Sequence, residues 1–399
     1  MNESEAPWPA SARPAAGNLT ARLAPLPTLA ALETEWRELE ARSAGSVCLS
    51  WHWIGCWLDC IPQRAAAELL RVQSGGRTVG LAVVCRRTTW RHAFVRSRGL
   101  HLNCTGDPLL DEINIEHNGM LAEAGSERPV LEAALRLLLE RPSRWDELHL
   151  PGLGAPEVLA TIEVAGRLVR RRNEGPCRYV DLDALRASGK PHRDSLGRST
   201  RYNVRRSQRE YALMGDLEID VARTADEAAD FLARLQVLHQ RYWSARGQPG
   251  SFANSFFSTF HERLVRTAFP AGVIQLLRIR AGEHDIGYLY NFVHRRRVYN
   301  YQSGFDYGEG GNLHRRPGMV AHSLAIDHNA ALGASTYDFL AGDSDFKRSF
   351  ATASTSMAWC VVQRPRAMFR IEDGLRMARN RLLGTTRKRD GAAGAGVGP

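Results

Sequence analysis

Apolar residues recur along the chain at two periods, and the alternation between them outlines its elements. Leu29, Leu32, Trp36 and Leu39 fall at three- and four-residue steps and predict a helix, followed by an aromatic helix holding Trp51, Trp53, Trp57 and Leu58. Glu68–Val72 and Val79–Cys85 flank the turn Ser74-Gly75-Gly76 and read as a hairpin. Val130, Leu131, Ala134, Leu135 and Leu138 mark an amphipathic helix over 129–140, and Glu147–Leu150 is a short strand closed by Pro151-Gly152. A further helix, Pro156–Ala165, ends at Gly166.

The second half repeats this mixture. Arg198, Arg201, Arg205, Arg206 and Arg209 lie at helical intervals within Ser195–Tyr211, either as a solvated face or as a basic wall toward phosphate or RNA. Asp226–Ala245 carries Phe231, Leu235, Leu238 and Tyr242 on one stripe, then a break at 246–250 and an aromatic helix over Phe252–Ala268. Val273–Arg280, Ile286–His294 and Val298–Ser303 form a strand meander. Its paired tyrosines, Tyr288 with Tyr290 and Tyr299 with Tyr301, make either a satisfied core or a polar groove. Thr336–Leu340 and Met357–Gln363 are the last strands, and Arg366–Leu383 is a basic amphipathic helix.

A length of 399 residues exceeds what one core usually organises, so two domains are expected, with cuts at 19–177 and 178–365. The Pro/Ala-rich 1–18 and Gly/Ala-rich 386–399 are expected to be disordered, with 366–385 as the C-terminal helix. No apolar run approaches a membrane span and no secretory signal opens the chain, which points to a cytoplasmic protein. The seven cysteines lack disulfide or zinc spacing, so reduced thiols and no metal site are expected.

The formal charge of +10 would suit a nucleic-acid partner, yet the basic residues are arginines apart from Lys190, Lys347 and Lys388. That skew looks like coding bias, so DNA binding is not expected, while a retained lysine gains weight as a compact point charge. Lys347 follows a strand carrying Asp338 and stands beside Asp343. It is either a counter-charge for a reaction intermediate or a salt-bridge partner of those acids.

Gly304, Gly308, Gly310, Gly311 and Asn312 form a glycine-rich loop leading to Pro317-Gly318, where a helix begins that Gly333 can cap. Its first N–H groups, with Gly318 allowing close approach and His314, Arg315 and Arg316 alongside, make an anion pocket for phosphate or pyrophosphate.

YNYQSGFD at Tyr299–Asp306, the Pro317-Gly318 helix start and YDFLAGDSDFKRSF at Tyr337–Phe350 together resemble the CelD-like acetyltransferases of the GNAT superfamily. HQRYW at His239–Trp243 and GSF at Gly250–Phe252 fit the same pattern. The resemblance implies a mixed α/β (α+β), tandem GNAT-like fold similar to the Fem peptidyltransferases, with a degenerate first half. It implies acyl transfer from acetyl-CoA or another acyl-CoA to an amine or hydroxyl, on a small-molecule or envelope-precursor acceptor. Lys347 would counter developing charge, and Asp343, Asp338 or His239 would serve as the base. Gln302, Ser303, Gly304, Arg315, Arg316, Gly318 and Met319 would hold the donor. Tyr242, Trp243, Arg246, Tyr288, Tyr290, Tyr299, Tyr301 and Asp306 would line the acceptor side. The alternatives are an aminoacyl-tRNA-dependent transferase using the arginine-rich helix, or a non-catalytic binding protein. The C-terminal helix is a candidate for peripheral contact with the inner membrane face.

Overall fold

The computed structural model describes residues 19–62, 66–91, 95–140, 145–154, 168–308 and 315–386. The expectations for 1–18, for the helix at Pro156–Ala165, for Gly310, Gly311, Asn312 and His314, and for the tail beyond 386 lie outside these residues. The chain divides into two units. Among the described residues, unit 1 takes 19–111, 115–174 and 358–386, and unit 2 takes 112–114 and 175–357. One crossing between the units falls at 174–175, and the C-terminal residues from 358 lie with the first unit, to whose sheet they supply a strand.

Unit 1 is a sheet in the order β1 (Leu19–Pro25), β2 (Ala67–Ser74), β3 (Arg77–Arg91), β4 (Val95–Leu102), β6 (Glu147–Leu153) and β13 (Ala353–Gln363), the last through its Ala358–Gln363 part, with the two-residue β5 (Leu121–Ala122) beside β3. α1 (Leu29–Glu40), α2 (Trp51–Cys60) and α3 (Glu127–Glu140) follow the predicted stripes. Thr28 and Ser50 cap α1 and α2 through their hydroxyls. Val130, Ala134 and Leu138 of α3 pack on Leu70, Val72 and Leu148 of the sheet. The strands at Leu19–Pro25 and Val95–Leu102 went unread because each is short and interrupted by arginine, so their pairing is decided by neighbouring strands.

Unit 2 repeats the strand order: β8 (Leu217–Val221), β9 (Ile274–Ala281), β10 (His284–His294), β11 (Arg297–Phe305), β12 (Thr336–Ala341) and β7 (Leu168–Asp181), the last paired through Cys177–Asp181. Its helices are α4 (Leu182–Ser188), α5 (His192–Ser195), α6 (Arg198–Ala212), α7 (Ala225–Ser244), α8 (Ser255–Ala268), α9 (Pro317–Ala331) and α10 (Asp345–Phe350). α9 is buried on most sides and lies in the core with Val320, Ala325 and Ile326 against Leu277, Leu289 and Val298. α11 (Ala367–Thr386) returns to unit 1, where Arg91 bonds Glu372 and lies over Phe369, while Ile371 and Leu375 stay exposed. All seven cysteines are free thiols.

The two units share one further feature. In each, a parallel pair stands between antiparallel neighbours, and it holds for only three residues. β4 and β6 pair at Gly99↔Glu147 through His101↔His149, and β11 and β12 pair at Arg297↔Thr336 through Tyr299↔Asp338. The strands then part. In unit 1 the parting is filled by the chain itself: the Asn118 amide donates to the Leu102 and Pro151 carbonyls at 3.1 and 2.9 Å, and accepts from Asn103 at 2.8 Å. The Asn118 backbone also donates to Gly152, so strand edges that would otherwise be bare are satisfied internally. Replacing Asn118 by Ala removes these buried bonds and is expected to lower the unfolding free energy by about 2–3 kcal/mol. A urea midpoint unchanged from wild type would show that the plug contributes nothing.

Candidate active site

In unit 2 the same parting is open. A cavity of about 200 Å³ lies between the diverging ends of β11 and β12, walled by Asn300–Phe305 and Tyr307 on one side and Phe339, Phe346 and Lys347 on the other. Gly318 and His322 of α9 and His239, Tyr242 and Trp243 of α7 complete it. This is the crevice beyond the carboxyl ends of parallel strands where α/β sheets commonly take ligands.

Local chemistry explains why the strands separate. Leu340 has a left-handed backbone (φ +61°), unfavourable for a branched side chain, and the buried Asp338 carboxylate holds it there by accepting from Leu340 N–H at 2.8 Å. Asp338 also stands 3.2 Å from Cys177 Sγ and 3.8 Å from Arg297. The register between β12 and β7 breaks at this point, between Asp338 and Ala341. The Lys347 ammonium then donates to the turned carbonyls of Ala341 at 2.6 Å and Leu340 at 3.3 Å.

β11 is shaped from its other edge. Tyr290 pairs with Gln302 and Asn291 with Asn300, leaving Tyr301 as an extra, bulged residue. Its hydroxyl is anchored to the Ile113 carbonyl at 2.6 Å and to His261 Nε2 at 3.1 Å. Gly304 permits α7 to lie close, because a Cβ there would meet the Leu235 carbonyl oxygen at 2.4 Å. A ladder of carboxamides, Asn300 to Asn291 to Gln275 to Asn329, joins the cavity wall to the far half of α9 through bonds of 2.9 Å each. Each amide satisfies the next inside the core.

Close packing of α7 sets His239. Its Nδ1 lies 3.2 Å from the Ser303 carbonyl, which only accepts, so Nδ1 carries the proton and Nε2 keeps its lone pair. Nε2 is buried without a hydrogen-bond partner, and the ring packs edge-on against Phe252 at 5.2 Å. Burial holds the imidazole below its ordinary pKa despite the Ser303 bond, so it is neutral near pH 7.

The expected residues divide around this geometry. Gln302, Ser303, Gly304, Gly318, Lys347, His239, Tyr242, Trp243 and Tyr301 come together on the cavity wall. Arg246 stacks on Tyr242 with its guanidinium carbon 3.5 Å from the ring centroid, and Met319 packs into the core. Arg315 lies over Tyr211, while Arg316 at the start of α9 is exposed and donates its N–H to Ser207.

Of the candidate bases, Asp343 is a surface carboxylate bonded to Arg178 and close to Arg348. The Arg178 bond in particular holds its pKa below the ordinary range, and neither it nor Asp338 lines the cavity. Tyr288, Tyr290 and Tyr299 are core: Tyr288 donates to Asp285, Tyr290 meets His261, and all three are buried. Asp306 accepts from Gly308 N–H beyond the strand end.

Asn300, Phe305, Tyr307, His322, Phe339 and Phe346 also line the cavity and were not singled out from the sequence. For His322 a signal existed, since it lies four residues after Gly318 on one helical face.

Residues 198–348 match the family model described as an acetyltransferase (GNAT) domain. Over this segment the chain is similar to a GNAT acetyltransferase domain. No curated protein matches the chain by sequence. Among solved structures, FemX is 12% identical, with 82% of this chain and 95% of that chain covered and a TM-score of 0.52. The C-terminal domain of a putative lysylphosphatidylglycerol synthetase from Agrobacterium fabrum is also 12% identical, with 84% and 93% covered and a TM-score of 0.50. At that identity the likeness is one of fold, and it spans both units.

Buried neutral histidines are expected to make unit 2 acid-sensitive. His192, His239, His261 and His322 all have pKa values lowered chiefly by burial, the last two to about 3. An unfolded histidine takes up its proton near pH 6.5, well before these do, so acid favours unfolding. Unfolding free energy is expected to be full above pH 7 and to fall between pH 6.5 and 4, by up to about 1.4 kcal/mol per pH unit for each such histidine. Chemical denaturation across that range measures it, and a flat profile would contradict the assignment.

Proposed function

We propose that the GNAT domain transfers an acyl group from acyl-CoA, acetyl-CoA in the simplest case, to an amine or hydroxyl of a cell-envelope or polysaccharide-related acceptor. The observation that carries this reading is the open parting of β11 and β12, with the α9 start and its Gly318 on the cavity wall. A linear thioester arm can lie along the free edge of β11 with its phosphates toward the N–H groups of α9 and the flanking Arg315 and Arg316. The acceptor class rests on the CelD-like sequence motifs.

In this reading His239 is the general base. Its Nε2 lone pair takes the proton of the attacking amine or hydroxyl as the new bond to the acyl carbon forms. The carbonyl electrons move onto oxygen and return as the C–S bond breaks. The departing thiolate takes a proton from water. Lys347 places a fixed positive charge on the same wall, where negative charge develops.

Two measurements test the reading. Calorimetry is expected to give saturable acetyl-CoA binding to wild type and none to Gly318→Glu, which puts a carboxylate in the phosphate position. With glucosamine as acceptor, His239→Ala is expected to lower thiol release about 100-fold or more while acetyl-CoA affinity holds. Absence of acetyl-CoA binding, joined to tRNA binding that weakens steeply with salt, would instead support the aminoacyl-tRNA reading. The exposed Arg198, Arg205 and Arg209 of α6 would then be the contact face.

We also propose that α11 touches an anionic membrane surface through its exposed Ile371 and Leu375. No described helix is long and apolar enough to cross a membrane. Ile371→Glu with Leu375→Glu is expected to abolish co-sedimentation with phosphatidylglycerol vesicles, and equal sedimentation of variant and wild type would reject the contact.

A further inference from the structure

α9 carries a side chain that the acyl-transfer chemistry above leaves unused. His322 lies one turn beyond Gly318, and both line the cavity. Its Nδ1 is 3.0 Å from the Tyr337 hydroxyl, and among the described residues neither group makes another hydrogen bond. Tyr337 is fully buried, so its hydroxyl hydrogen goes to His322 Nδ1. A nitrogen that accepts leaves the imidazole proton on the other one. His322 therefore offers Nε2–H as a donor on the cavity side, the tautomer opposite to that of His239, whose Nε2 offers a lone pair.

The surroundings keep this donor neutral and flank it with aromatic rings. Phe305, Phe339 and Phe346 surround the ring with centroids at 5.9, 5.7 and 5.0 Å. Burial first, and the nearby Lys347 charge second, lower its pKa to about 3. A hydrogen bond given in such a low-dielectric site is stronger than one given in water, and the fixed donor needs no reorganisation as charge appears.

We propose that His322 Nε2–H holds the acyl carbonyl oxygen of the donor and stabilises the negative charge that gathers there during transfer, a role that rests on the acyl-transfer reading. The nitrogen or oxygen of the acceptor adds its electron pair to the carbonyl carbon, and the C=O π pair moves onto the oxygen facing His322. When that pair returns, the C–S bond breaks and the thiolate departs to be protonated by water. The acceptor proton goes to His239, and His322 keeps its own proton throughout. One histidine thus removes a proton while the other lends a hydrogen bond without transferring it.

The test uses acetyl-CoA with hydroxylamine, which is already uncharged at neutral pH and so isolates carbonyl activation from base catalysis. His322→Phe keeps an aromatic ring in the box without a donor, and His322→Gln keeps an N–H. Thiol release by His322→Phe is expected to fall about 100-fold in kcat with acetyl-CoA affinity close to wild type, while the melting temperature drops because the buried Tyr337 hydroxyl loses its partner. His322→Gln is expected to recover at least tenfold of that loss, a rescue that a purely structural role would not produce. Should His322→Phe fail to fold, Tyr337→Phe takes its place: it frees the ring to adopt the other tautomer and is expected to lower kcat without changing acetyl-CoA affinity. Wild type that turns over while His322→Phe, or Tyr337→Phe in its place, matches it overturns the role of His322 alone, as does wild type that binds acetyl-CoA but releases no thiol. Wild type that binds no acetyl-CoA overturns it together with the acyl-CoA reading.

Discussion

Everything in the site depends on two parallel strands that pair for three residues and then separate. A parallel pair left open exposes backbone donors and acceptors that must be met by something. In unit 2 the parting is built in from both edges. Asp338 holds Leu340 in a left-handed turn and breaks the register with β7, while the bulge at Tyr301 bends β11. Lys347 gathers the carbonyls that this turn releases. A buried carboxylate that might pass for a catalytic acid thus does architectural work, and it keeps the cavity from closing into continuous sheet.

Unit 1 shows the other solution to the same problem. It has the same strand order and the same three-residue parallel pair, but Asn118 fills the parting with its own amide and backbone. The difference between the units is not one of fold. It is whether the free strand edges are satisfied by the chain or left for a ligand. That accounts physically for a first half whose strand parting is plugged by its own chain.

Within unit 2, low polarity decides protonation. The site is rich in histidine and aromatic rings yet holds its imidazoles neutral, because burial penalises the charged form more than the available partners stabilise it. What each histidine can do then follows from its partner. The Ser303 carbonyl at His239 Nδ1 leaves Nε2 as an acceptor, and the Tyr337 phenol at His322 Nδ1 leaves Nε2–H as a donor. Two residues of one type acquire opposite hydrogen-bonding capacities from a single neighbouring atom each.

The sequence by itself determined the long periodic helices, the meander of β9 to β11, the helix start at Pro317-Gly318 and the cluster from Tyr299 to Phe350 that builds most of the cavity. These are local: spacing, capping residues and turn chemistry act within a few residues of one another. The short strands β1, β4 and β8 were not legible, since their conformation comes from partners far along the chain. Tyr288, Tyr290 and Tyr299 were expected on the acceptor side yet are buried in the core, and Asp343 and Asp338 stood beside Lys347 yet bond arginines and backbone instead. Only the tertiary structure decided these, because the direction of a side chain on a bulged or parting strand depends on register. The function of a histidine likewise depends on which distant oxygen takes its other nitrogen.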